Sequence, residues 1–276
     1  MKIDSHQHFW EINDTDYVWM GPEHAVIKKD FLPKDLLPLL QKAELDGCIA
    51  VQARQKTAET EWLLELSDEN AFIKGVVGWV PLAEAAGAPF IERYAAHPKL
   101  VGIRHVVHDE PDDDFILGRA FNAGVSALKN TKLVYDILIF AKHLPQTIQF
   151  VDQHPEQVFV VDHMAKPTIT AAAHDKTWEK QIRALAEREQ VSCKLSGMVT
   201  EVRDDAWSLS LLQPYFEVVL EAFGPERVMY GSDWPVCLLR SEYATWVETV
   251  KAFTDTLSSD EQSAIWGGTA AKVYQL

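Results

Sequence analysis

Val158-Phe159-Val160-Val161-Asp162-His163 is a short run of β-branched and aromatic residues that ends in two ionisable side chains. The apolar part reads as a buried strand of a parallel sheet, and the polar end as the point where the strand leaves the core. Outward from it the pattern recurs at Ile3 to His8, Gly47 to Ala53, Ile73 to Val80, Leu100 to Val107, Lys132 to Ile139, Val191 to Ser196 and Val228 to Asp233. Segments of helical periodicity lie between these strands. Pro33-Lys34-Asp35-Leu36-Leu37 opens one helix, Thr57 opens another before Trp62-Leu63-Leu64-Glu65-Leu66, Pro145 and Gln146 lie near the start of a fifth, and Thr177 is the expected cap of Trp178 to Arg188. Eight βα units point to the α/β class and a (β/α)8 TIM barrel, with an open doubly wound sheet as the alternative.

Composition narrows the function classes. The 276 residues are 47% apolar and 24% charged, which suits an ordinary globular chain and excludes disordered or collagen-like structure. A formal net charge of −15 repels phosphate backbones and anionic lipid, so neither nucleic acid nor membrane is an expected partner. Gly75 to Leu82 and Leu133 to Ala141 are too short and too interrupted to span a bilayer. Met1-Lys2-Ile3-Asp4-Ser5-His6 has no apolar stretch of a secretory signal, so a cytoplasmic location is expected. Cys48, Cys193 and Cys237 are odd in number and widely spaced, which predicts free thiols. No linker or repeat divides the chain, so one barrel domain over residues 1–276 is expected; its oligomeric state is not legible. The long connection Phe9 to Asp46 carries Trp10, Tyr17, Trp19 and Met20 and reads either as an apolar lid or as packing beneath a loop.

Active sites of (β/α)8 barrels lie at the C-terminal ends of the strands, and polar side chains gather there: His6-Gln7-His8, Arg104-His105 with His108 behind, Tyr135-Asp136, Asp162-His163, Lys194 with Ser196, and Asp233-Trp234. Strand alternation puts His6 and His8 on one side, where an i, i+2 pair of imidazoles can converge on a metal or a substrate, although such pairs are often only hydrogen-bonded core histidines. Asp233 follows apolar Val228-Met229-Tyr230 and needs a cation, a donor or water as partner. The same parity sends the permanent charge of Arg104 inward and His105 to the helix side or, by a bend, back into the mouth. It also turns Asp136 inward rather than Tyr135, aligns Lys194 with Ser196, and leaves Asp162 opposite His163 as a turn cap. A buried structural ion pair is the competing reading for Lys194 and Asp136.

Taken in order, Asp4-Ser5-His6-Gln7-His8-Phe9-Trp10, Val51-Gln52-Ala53, Gly102-Ile103-Arg104-His105, Tyr135-Asp136, Asp162-His163 with Lys166-Pro167, Lys194-Leu195-Ser196-Gly197 and Tyr230-Gly231-Ser232-Asp233-Trp234-Pro235 resemble the amidohydrolase superfamily. The branch they resemble is that of sugar-lactone hydrolases related to fuconolactonase and rhamnonolactonase, and the resemblance spans nearly the whole chain. It implies a (β/α)8 barrel, hydrolysis of a cyclic ester, and His6, His8, His163 and Asp233 around the reacting centre. Many members hold two metals through further ligands on the fourth and fifth strands. Here those strands offer Arg104 and Asp136, which implies one divalent ion, zinc first, or none.

Lactone hydrolysis needs an activated water, a stabiliser for the growing oxyanion and an acid for the departing alkoxide. The expected catalytic groups are Asp233 as base, His163, Arg104 and Lys194; the expected metal ligands are His6, His8, His163 and Asp233. A small polyol lactone would be bound by Gln52, Trp79, His105, His108, Asp136, Ser196 and Trp234. No more than two of Trp10, Trp19, Trp79 and Trp234 are expected to stack on the sugar. A metal-dependent decarboxylase of aromatic or unsaturated acids and a non-catalytic sugar-acid binder are the alternatives, whereas a phosphodiesterase or deaminase lacks its further acidic or metal-binding residues.

Overall fold

A computed structural model describes residues 1–13, 15–85 and 87–276. All eight expected strands form, as β1 Ile3–Gln7, β2 Gly47–Val51, β3 Ile73–Gly78, β4 Leu100–Val106, β5 Val134–Leu138, β6 Phe159–Val161, β7 Val191–Leu195 and β8 Val228–Tyr230. They pair in parallel in the order β1 to β8, the connectivity expected when each βα unit adds one strand beside the last. Every strand stops one or more residues short of its sequence-based end, where the chain turns over the barrel mouth.

The two ends of the sheet meet. His8 N donates to Trp234 O at 2.7 Å and Asp233 N to His6 O at 2.8 Å. Below them the Ser5 hydroxyl donates to Tyr230 O at 2.6 Å, and Asp4 Oδ1 accepts from Ser232 N at 2.8 Å. The barrel is therefore joined across β1 and β8, and the open sheet is excluded.

Inside the barrel, Ile3, Ile49, Val51, Val77, Val101, Val134, Val160 and Met229 form an apolar layer, capped from below by Ala270 and Tyr274 near the C-terminus. A larger apolar shell packs the outer faces of the strands against the helices. Full burial of each aliphatic side chain contributes roughly 1.5–3 kcal/mol. Helix Pro33–Lys42 and helix Thr57–Glu69 begin where expected. Helix Lys176–Ala186 does not: Asp175, not Thr177, is its cap, accepting from Trp178 N. Asp175 precedes the first turn, where its carboxylate reaches the Trp178 amide, while Thr177 already lies within it.

The connection from Phe9 to Asp46, apart from Asp14, which lies outside the described residues, packs its aromatic side chains together beside the mouth, as the packing reading expects. Trp10 packs against Tyr17, Trp19 and Phe31 with ring centroids 6.0, 6.3 and 5.7 Å away, and Trp10 and Trp19 also line the barrel mouth. Cys48, Cys193 and Cys237 are free and buried. Among the described residues no helix is long and apolar enough to cross a membrane.

Candidate active site

Three chain segments bring one carboxylate and three imidazoles together. Asp233 Oδ1 lies 3.3 Å from His8 Nε2, 3.7 Å from His6 Nε2 and 3.8 Å from His163 Nε2. His6 comes from β1 and His8 follows its last residue. Asp233 reaches the centre because the chain after β8 bends through a left-handed residue, Asp233 itself, at φ 57°. His163 arrives by a sharper device: His163, Met164, Ala165 and Lys166 all have positive φ, between 49° and 58°. Each such non-glycine residue costs roughly 1–2 kcal/mol, so the turn needs external support. Trp178 Nε1 supplies part of it by donating to Met164 O at 2.7 Å. Gly197, at φ 66°, leaves room for the ring, since a Cβ there would lie 2.7 Å from His163 Nδ1.

Beneath the imidazoles is a buried charge network that parity did not foresee. Asp162 faces inward together with His163, not opposite to it, because the left-handed turn begins at His163 and breaks the alternation. Its carboxylate meets Arg104 at 3.0 Å, Lys194 at 3.1 Å and His6 Nδ1 at 3.3 Å. Lys194 also pairs with Asp136 at 2.5 Å and approaches His6 Nδ1 at 3.2 Å. Two cations and two carboxylates thus neutralise one another, as burial demands. Burial opposes ionisation of Asp162, yet Lys194, His6 and Arg104 hold its carboxyl well below the ordinary value, while burial pushes Asp136 up to about 6. Burial also lowers His6 and His163 well below the usual imidazole value, so both are neutral at pH 7. Asp233 is held below the usual carboxylate range: burial raises it, but His163, His8 and Lys166 outweigh that effect.

Above the centre opens a cavity of about 350 Å³, whose lining includes His8, Trp10, Trp19, Arg104, His108, His163 and Asp233. Several expected substrate contacts lie elsewhere. Asp136 and Lys194 are fully buried below the rim; Asp136 pairs in register with Arg104, but only the long guanidinium reaches the cavity. The ion-pair reading of Asp136 and Lys194 describes their placement. Gln52 is buried beside β4, donating to Arg104 O. The Ser196 hydroxyl bonds His163 Nδ1 at 2.8 Å, so it holds the ring and does not face the mouth. His105 turns to the helix side, bonded to Glu110 and stacked on Phe115, and Trp79 donates to His105 outside the cavity. Trp234 packs on Phe9 and Phe31. Only Trp10 and Trp19 of the four tryptophans considered line the mouth.

The cavity is also lined by His24, Asp109, Lys166, Thr200 and Glu201, which the strand-end pattern does not single out. Lys166 belongs to the Lys166-Pro167 pair of the family resemblance, whereas Glu201 ends a short 3-10 helix, Val199–Glu201, after β7 and carries no strand-end signal.

The donor set fits a divalent ion. His6, His8 and Asp233 offer ligand atoms within 4.8 Å of one another. His8 Nδ1 lies 2.8 Å from Val51 O; a carbonyl only accepts, so Nδ1 carries a proton and Nε2 is the nitrogen turned to Asp233. Such an outer hydrogen bond is what orients a ligating imidazole. His6 Nε2 accepts instead from Arg104 at 3.3 Å, a contact that an ion on that nitrogen would displace.

The sequence profile of the amidohydrolase family matches residues 3–276. The chain belongs to the amidohydrolase family. It is 40% identical to a Burkholderia multivorans amidohydrolase relative named L-fucono-1,5-lactonase, over 100% of this chain and 96% of that one. A protein of the same name from Burkholderia ambifaria is 33% identical, again over 100% of this chain and 96% of its own. A crystal structure of an amidohydrolase from Burkholderia multivorans with bound zinc superposes with a TM-score of 0.94 at 40% identity, covering 100% of this chain and 99% of that one.

Proposed function

We propose that this amidohydrolase opens the lactone ring of a sugar acid, with Asp233 as general base. One observation carries the reading: a single carboxylate oxygen faces three imidazole nitrogens at 3.3–3.8 Å on the floor of a cavity sized for one small ring. The full-length similarity to proteins named L-fucono-1,5-lactonase supports the substrate class.

Asp233 Oδ1 is turned to the rings, so Oδ2 is the oxygen that takes a proton from water. The water oxygen bonds to the lactone carbonyl carbon. Arg104, the guanidinium in the cavity lining, stabilises the charge that grows on the carbonyl oxygen. The ring C–O bond then breaks, and Asp233 returns its proton to the departing alkoxide, leaving a hydroxy acid. Lys194 touches no substrate; it is a positioning residue for His6 and Asp162. His6, His8 and Asp233, with His163 beside them, would hold one divalent ion, zinc by its preference for imidazole and carboxylate, which would polarise the carbonyl and acidify water.

The test is a pH-indicator assay of purified protein against fucono-, rhamnono-, galactono- and arabinono-lactones. Turnover of at least one is expected. Hydrolysis of none would overturn the reading in favour of a decarboxylase or a sugar-acid binder.

A further inference from the structure

Lys166 is the ammonium of the cavity lining, and the catalytic sequence above does not use it. It is the last residue of the left-handed turn that delivers His163, so its backbone is placed as firmly as the imidazole. Its side chain is only 20% exposed, and its Nζ makes no hydrogen bond among the described residues. The Glu201 carboxylate, 7% exposed, stands 3.7 Å away, and the Phe140 ring lies beneath the ammonium at 5.5 Å. The other oxygen of Glu201 accepts from the more exposed Arg203 at 2.9 Å. The cavity wall therefore presents a strong donor and a strong acceptor side by side, both stripped of most water and neither joined to the other by a hydrogen bond.

A single hydroxyl can use either group. Two neighbouring hydroxyls can use both at once, one oxygen accepting from the ammonium and the other donating to the carboxylate. We propose that Lys166 and Glu201 form a subsite for a vicinal diol on the lactone ring and so select hydroxylated lactones over plain ones. This inference rests on the lactonase reading and names the part of the substrate that reads the wall. A site whose buried polar groups are left unpaired by the wrong ligand discriminates strongly against it, whereas an apolar wall would favour the unsubstituted ring.

The experiment compares kcat/KM for galactono-1,5-lactone and unsubstituted δ-valerolactone in the wild type, Lys166→Met and Glu201→Gln. The expected result is a fall of about 30- to 100-fold in the ratio of the two values in each variant. An unchanged ratio overturns the subsite, whether both activities fall together, as a merely structural role would cause, or neither falls. Calorimetric titration with the non-hydrolysed galactonolactam, against δ-valerolactam as control, separates this proposal from the one beneath it. Wild-type binding of galactonolactam that Lys166→Met weakens supports the subsite even if no lactone is turned over, a result that would remove only the lactonase reading. Equal binding in wild type and variant, or no binding to either, overturns the subsite.

Discussion

The hydroxyl of Tyr274 lies 2.9 Å from both carboxylate oxygens of Asp136, so a residue near the C-terminus supports the charge network under the reacting centre. All these groups are buried, and an unsatisfied buried acceptor costs roughly 1–3 kcal/mol. Tyr274→Phe should lower the unfolding free energy by about that amount, measured by urea denaturation. An unchanged midpoint would show that Asp136 is satisfied without it.

Asp233→Asn keeps the size of the side chain and removes its basicity. Loss of general base catalysis lowers turnover by roughly 10²- to 10⁴-fold, with the circular dichroism spectrum unaltered. Near wild-type rates in this variant would end the assignment of Asp233 as base.

The metal reading makes its own demand. Purified protein should lose lactone hydrolysis on dialysis against a chelator and regain it with zinc, and His8→Ala should bind far less zinc by elemental analysis. Hydrolysis that resists chelation would place the work on the imidazoles and on Arg104.

Ser196→Ala removes the hydroxyl bonded to His163 Nδ1 but leaves the cavity lining intact. Outer hydrogen bonds of this kind are worth about 10- to 100-fold in activity or metal affinity. The loss should appear in kcat, with KM little changed, and a purely KM effect would return Ser196 to substrate binding.

Stability should depend on pH through buried carboxyls that take no part in the proposed chemistry. Burial raises the Glu59 carboxyl to about 7 despite its bonds from Arg54 and Ala53, and burial likewise raises Asp4 to about 6. Between the unfolded value near 4.5 and the folded value, the native state holds a proton that the unfolded chain has released, so stability falls as pH rises. Glu59→Gln has no proton to lose there. Its melting temperature relative to wild type should rise between about pH 5 and pH 8, and parallel profiles would contradict the raised Glu59 value.

The barrel was legible because short strand-like runs alternate with helical segments and several of the runs end in polar residues, a pattern local to a few positions. Which face each polar residue takes was less so. In β6 the residues Phe159, Val160 and Val161 are apolar on both faces, so alternation had no anchor for Asp162 or His163. The run of positive φ that follows is made by His163, Met164, Ala165 and Lys166, with no glycine to announce it. Depth was also hidden: Arg104 and Asp136 share a level, and only side-chain length puts one in the cavity and the other in the floor. Glu201 joins Lys166 through tertiary folding alone.

The seam between β1 and β8 has a kinetic meaning. His6 and His8 are synthesised long before Asp233, the last of the catalytic group, yet their backbones are hydrogen-bonded to each other's neighbourhoods. No partial barrel lacking β8 can contain the reacting centre, so a nascent or truncated chain is inert however much of it has folded. Enzymatic activity is thus a direct clock for ring closure, and refolding followed by turnover should lag behind refolding followed by helix formation.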